Sequence, residues 1–216
     1  MLSCDWLSGK GYPMRNNTVV CLAALLAIHL MFSAGCSSTM SLSYAKPPSA
    51  ELDKGDISLV FSDQRPPKRG GDQPMRVGTV RNTFGMPFAL NASAGRQPSK
   101  VLGELVSDCL EAAGYRVVQE SSGVPRLHAV LETFWSYAYE HNRMGLVMPL
   151  ELEGGQGSAI AWRHVVESDI GVTWKIGYGP FERAYNSLLE DAKHRLISEF
   201  ADPGFRESYR AVAAGN

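Results

Sequence analysis

The chain has 216 residues, 21 Lys and Arg against 22 Asp and Glu, and a 44% share of hydrophobic residues. That length and apolar share suit one globular domain or two small ones and exclude a wholly disordered chain. The near-neutral balance excludes a nucleic-acid binder that works through bulk positive charge, so no nucleic-acid partner is expected.

Arg15 precedes an uncharged, mainly apolar run over residues 19–32. The run is too short for a membrane-spanning helix, which needs about 20 residues. It matches the apolar region of a secretory signal, about 7–15 residues long. Ser33, Ala34, Gly35 and Cys36 follow. This resembles the bacterial lipoprotein signal, whose lipobox ends in an invariant cysteine, although Ser33 stands where leucine is usual. The resemblance implies cleavage before Cys36 and acylation of Cys36 with palmitate-type chains, which tie the protein to a membrane. Met14 is the expected start, which makes residues 14–35 the signal peptide and 1–13 upstream sequence. Ser37 lacks the aspartate that retains lipoproteins in the inner membrane, so the resemblance implies the periplasmic face of the outer membrane. Removal of residues 1–35 leaves Cys36 and Cys109 as the two cysteines, and no disulfide is expected.

Residues 36–53 are rich in Ser, Pro and Ala and show no period, which predicts a flexible tether. Residues 54–204 read as a single domain. Ile57 to Phe61 is a short apolar, β-prone run, read as a buried strand. Arg65-Pro-Pro-Lys-Arg-Gly-Gly71 is a loop. Residues 76–81 predict a second strand and 86–97 another loop. Pro98 suits the first turn of a helix, and Val101, Leu102, Leu105, Val106, Cys109, Leu110 and Ala113 form one apolar stripe closed by Gly114. Cys109 on that stripe reads as a small buried hydrophobe.

Residues 115–120 read as a strand, and 127–139 alternate as one long strand with Leu127, Ala129, Leu131, Thr133 and Trp135 on one face. A hairpin through His141 and Asn142 leads to a strand over 146–152, which Pro149 either places at a sheet edge or breaks. Two further strands, 160–167 and 170–178, are separated by a turn or bulge at Ser168 and Asp169. Pro180 opens a second helix with a stripe of Phe181, Tyr185, Leu188, Leu189, Ala192, Leu196 and Phe200. Asp202-Pro-Gly204 ends it, and residues 205–216 are a tail with room for one helical turn. Strands in succession favour antiparallel pairing, so the expected class is α+β: a mainly antiparallel sheet with two amphipathic helices packed on one face.

No nucleophile elbow, zincin helix or phosphate-binding loop is present. Gly177 and Gly179 sit where a dinucleotide loop would lie, but Glu182 replaces its third glycine and would repel a pyrophosphate. His128, His141, His164 and His194 lack ligand spacing; Glu190 and His194 are a helical i, i+4 pair, and Glu151 and Glu153 read as a solvated strand face. No enzymatic activity, cofactor or metal is expected. The loop around Arg65, Lys68 and Arg69 has two readings: contact with lipid headgroups or an acidic partner, or a solvated surface segment. Phe134, Trp135, Tyr137 and Tyr139 are either a ligand platform or core and sheet edge.

Asp63-Gln-Arg65, Val77-Gly-Thr-Val-Arg-Asn82, Gly85 and the helix end Ala113-Gly114-Tyr115 form a pattern that resembles YajG-type lipoproteins, and more loosely the PqiC-like auxiliary lipoproteins of envelope lipid transport. The resemblance covers residues 57–132. It implies a non-enzymatic accessory or scaffold of an envelope complex, with an envelope protein as partner. The alternative is a carrier module that binds lipid or glycan on the open sheet face.

Overall fold

The computed structural model describes residues 37–81, 87–119, 123–136, 143–154, 159–171 and 179–215. Cys36 and the signal region lie outside the described residues. So do Asn82, Gly85, Tyr137, Tyr139, His141, Asn142, Gly177 and residues 172–176, which include Trp174.

Among the described residues nine strands form one sheet: β1 (Ser37–Met40), β2 (Gly55–Asp63), β3 (Arg76–Arg81), β4 (Pro87–Ala92), β5 (Tyr115–Val118), β6 (Arg126–Leu131), β7 (Thr133–Ser136), β8 (Arg143–Glu153) and β9 (Ile160–Gly171). The helices among the described residues are α1 (Pro98–Ala112), α2 (Gly179–Ala201) and α3 (Pro203–Ala214). The order across the sheet is β1-β4-β3-β7-β8-β6-β2-β5, with β9 on the other side of β8.

The fold is α+β, but the sheet is mixed rather than mainly antiparallel, and the described residues hold three α-helices rather than two. β5 and β6 each run parallel to β2, on its two sides, and β1/β4 and β3/β7 are also parallel. β3/β4, β6/β8, β7/β8 and β8/β9 are antiparallel. The cause is the excursion through β3, β4 and α1 between β2 and β5. A helical crossover brings the chain back beside β2 in the same direction, as parallel pairing requires.

In its described part, up to Ser136, the long strand expected over 127–139 is two strands with a phase change. β6 pairs with β8 through Ala129↔Leu150, whereas β7 pairs through Thr133↔Val147, a register one residue apart. One extra residue is accommodated near Glu132, whose N–H bonds to the Val147 carbonyl at 3.1 Å. Such a bulge reverses which side chains point inward. Leu127, Ala129 and Leu131 are buried before it, and Phe134 and Ser136 after it, while Thr133 and Trp135 are half-buried. The same bulge explains Pro149. Val147 turns its carbonyl to Glu132, so Pro149, two residues on, faces the same edge beside the bulge, where no ladder N–H is required. β8 is therefore an interior strand and not an edge. β9 runs unbroken through Ser168 and Asp169, paired to β8 along its length.

One face of β8 supplies the centre of the core: Met144, Leu146, Met148, Leu150 and Leu152 are fully buried. Both predicted helical stripes are buried as read. α1 packs against β2, β5, β6 and α2; α2 packs against β8, β9 and α3; α3 packs against β8 and β9. The expected tail is therefore α3. Asp202 caps it by accepting the Gly204 N–H at 2.7 Å, and Phe205 and Tyr209 are buried against Tyr115 and Trp162. The segment 86–97, read as loop, contains β4, with Pro87 as its first residue, where a strand tolerates proline.

Candidate functional site

Arg65, Lys68 and Arg69 are not brought together as one cationic surface. Arg65 is turned inward and only 3% exposed. Its Nε and Nη2 donate to the two Asp63 carboxylate oxygens at 2.9 and 2.8 Å. Nη1 donates to the Arg76 carbonyl at 2.9 Å and Nη2 also to the Pro74 carbonyl at 3.2 Å. Four of its five N–H donors are thus engaged by Asp63, Pro74 and Arg76. A guanidinium is suited to this because its planar fork meets a carboxylate with two parallel bonds and keeps further donors for carbonyls.

Gly70 and Gly71 let the loop close around that guanidinium. Gly70 has φ +103°, and a Cβ there would lie 2.7 Å from Arg65 Nη1; one on Gly71 would lie 2.1 Å from the Arg65 carbonyl oxygen. Lys68 and Arg69 occupy a 3₁₀ turn, Pro67–Arg69, and are exposed.

The loop sits where the sheet exchanges β2 for β3 as the neighbour of the β6–β7 strand. β3 and β7 meet there at a single pair, Gly78↔Ser136. Tyr185 of α2 secures the junction. Its hydroxyl donates to the Val77 carbonyl and receives a bond from the Ser136 backbone. Burial raises the phenol well above its ordinary range, against the opposing influence of the Arg65 charge. A Cβ on Gly78 would lie 2.8 Å from Ser136 Cβ, so glycine allows this approach. The residues that carry the family-like pattern, Asp63, Arg65, Val77 and Gly78, are therefore accounted for by the architecture of this junction.

Residues 37–46 of the segment expected as a tether are bonded to the domain. β1 pairs with β4, and residues 41–46 lie extended along α2. Ser41 N–H donates to Glu182 at 3.1 Å, and Ser43 N–H to Asn186 Oδ1 at 2.9 Å. Ala45 N–H donates to Glu190 Oε1 at 2.5 Å. The spacing is physical: two extended residues advance about 6.6 Å, close to the 6 Å of four helical residues. Met40 and Leu42 point inward, 1% and 0% exposed. Lys193 donates to the Ala45 carbonyl at 3.0 Å and pairs with Glu190. Tyr44 Oη donates to Asp108 at 2.8 Å, and Lys46 pairs with Asp108 at 2.7 Å, which fastens the strap to α1. The sequence signal was the alternation Met40, Leu42, Tyr44; its partners are more than 140 residues away.

The remaining chemistry-bearing groups are dispersed. Burial, reinforced by Asp108, pushes the Cys109 thiol up to about 12, which leaves it protonated and unreactive. His128 lies 2.7 Å from Glu153, and His164 lies 3.3 Å from Glu199 while stacking on Trp162. Glu190 is engaged by the strap. Among the described residues, no three His, Cys, Asp or Glu side chains are grouped as metal ligands. An open cleft of about 500 Å³ is lined by Thr133, Val147, Glu167, Asp169 and Arg195, a mixed polar surface. No helix among the described residues is long and apolar enough to cross a membrane.

No protein-family model matches the sequence, and no curated protein matches it at significance. Solved structures do. A Xanthomonas campestris protein of family DUF330 is 9% identical, with 82% of this chain and 99% of that one covered and a TM-score of 0.55. That likeness is one of fold. A PelC dodecamer from Paraburkholderia phytofirmans is 9% identical over 71% of this chain and 93% of its own, with a TM-score of 0.38. A Caulobacter crescentus CB15 protein provisionally classed as a lipoprotein is 17% identical over 52% of this chain and 81% of its own, with a TM-score of 0.27. Neither score is high enough to bear on function.

Proposed function

We propose that this chain is a lipid-anchored accessory protein of the bacterial cell envelope, acylated at Cys36 and facing the periplasm from the outer membrane. In this reading it scaffolds or assists an envelope complex and performs no chemistry of its own. The kinship with YajG-type and PqiC-like lipoproteins belongs to the same proposal. The observation that carries it is a juxtaposition along the chain. An apolar run and the small residues Ser33, Ala34 and Gly35 lead to Cys36, and the folded domain begins at the next residue. A cysteine at that point has an acylation signal behind it and a compact domain ahead of it.

The scaffold reading is favoured over a lipid or glycan carrier by the filling of the interior. The inward face of β8 and the stripes of α1 and α2 are packed against one another at 5% exposure or less. A carrier needs an apolar cavity that buries most of its ligand. The clefts along β9 are open, with charged walls.

The test is metabolic labelling with a fatty-acid analogue, together with membrane fractionation of the wild type and Cys36→Ala. Acylation and sedimentation of the wild type alone support the anchor; equal labelling of both variants overturns it. Co-purification from solubilised membranes then tests the accessory role, and recovery of the protein without an envelope partner counts against it.

A further inference from the structure

We propose that the domain is held against the bilayer without slack, so that the β1–β4 end of the molecule faces lipid and the end bearing Asp53 and Arg116 faces away. The inference rests on acylation of Cys36 and adds to it an orientation and a lipid-facing surface. Its basis is the count of residues between the anchor and the fold, which is none: Cys36 is followed directly by β1, whose register with β4 begins at Ser37↔Ala89.

A flexible linker of n residues spans about 5–6 Å × √n and lets a domain tumble above the membrane. Here the residues with linker composition are locked instead. β1 is bonded into the sheet, and residues 41, 43 and 45 are bonded to Glu182, Asn186 and Glu190 of α2. Met40 and Leu42 are buried, so lengthening the leash would expose them and break the ladder. The strap then leads away from the anchor. From Ser37 to Lys46 an extended chain covers about 30 Å. It ends at α1, where Lys46 pairs with Asp108, and the chain continues to Asp53 and enters β2 beside β5 at Gly55↔Tyr115. Ser37 and the far end of the strap are thereby placed at opposite ends of the domain.

The partner is the lipid surface itself, chosen by where the chain enters the fold. The surface presented to it carries Thr39 and Pro87, both exposed, with Phe88 half-buried behind them. The opposite end, with exposed Asp53, Asp56 and Arg116, is left for partners in the periplasm.

The experiment uses the full acylated protein with single reporter cysteines, Thr39→Cys or Asp53→Cys, in phosphatidylethanolamine–phosphatidylglycerol vesicles that contain headgroup spin-labelled lipid. Buried Cys109 and acylated Cys36 do not compete for the fluorescent label. Quenching at position 39 is expected to exceed that at position 53 several-fold. A flexible Ser-Gly insert between Cys36 and Ser37, beginning with Ser to keep the residue after the anchor, is expected to bring the two positions close to equal. Equal quenching in the uninterrupted chain, with fatty acid incorporated, overturns the orientation and leaves the anchor standing. So does a difference that the insert does not reduce. Absence of fatty-acid incorporation overturns both.

Discussion

Removal of the Arg65 guanidinium leaves the Asp63 carboxylate and the carbonyls of Arg76 and Pro74 without their donor. Asp63 is itself exposed, so its charge is not stranded in the interior, and the cost is that of the lost charge-assisted bonds and the unpaired carbonyls, about 1.5–3 kcal/mol. Arg65→Ala is therefore expected to lower stability by about that amount, while Lys68→Gln, an exposed change, stays within about 0.5 kcal/mol. Denaturant titration of the two variants measures the difference. Equal midpoints would return Arg65 to the surface role its composition suggested. Cys109 belongs to the same scale. Its thiol is buried, with Sγ 3.8 Å from the Lys193 carbonyl oxygen, and is held protonated up to about 12. Alkylation at neutral pH is expected only after denaturation, as mass spectrometry with and without denaturant would read.

The strap and α3 are the two elements whose attachment is most exposed to test. Burial tends to raise the Glu190 carboxyl, but its bonds with Lys193 and the Ala45 N–H outweigh this and hold it below the ordinary 4.5. A carboxyl depressed in the folded state stabilises fully above its unfolded pKa and loses that contribution as pH falls through the folded value. Asp191, depressed by Ser168 and Arg195 against burial, acts in the same direction. The strap is thus expected to loosen on acidification below about pH 4.5. Amide exchange at Ser43 and Ala45 would rise before that of β8, and Glu190→Gln would show faster exchange there already at neutral pH. For α3 the expectation is a packing loss. Phe205 is fully buried against Tyr115, Trp162 and Phe200. Phe205→Ala is expected to cost about 3–5 kcal/mol, visible as a lowered thermal midpoint.

At the scale of the molecule, two forces could hold this protein on a membrane, and they respond differently to salt. Acyl chains act by burial of CH₂ groups, about 0.8 kcal/mol each, and two or more chains anchor stably. Contact of Lys68 and Arg69 with anionic headgroups is worth about 1 kcal/mol per charge and is screened within about 10 Å at 0.1 M salt. Retention on membranes is therefore expected to survive a high-salt wash in the wild type and to be lost in Cys36→Ala. Release of the wild type by salt alone would assign the attachment to charge and not to lipid.

The sequence by itself determined what is local and periodic. The stripes of α1 and α2 follow from 3.6-residue spacing, the loop at residues 65–71 from proline and glycine, and the inert Cys109 from its place on a stripe. The apolar run ahead of Cys36 is legible in the same way, as a linear pattern, and its reading as a signal belongs to the proposal. What only the tertiary structure decided depends on partners far along the chain. Whether β5 and β6 pair with each other or with β2 is a contest between topologies that contain the same strands. The bulge near Glu132 shifts inward burial from Trp135 to Phe134, and nothing in a strand's own alternation marks one extra residue. Arg65 reads as a surface cation until Asp63, Pro74 and Arg76 are folded around it. Residues 37–46, part of the segment 36–53 that reads as a tether, find their partners on β4 and α2, which lie far along the chain. Pairing, register and the satisfaction of buried polar groups are properties of two segments together, and one segment cannot state them.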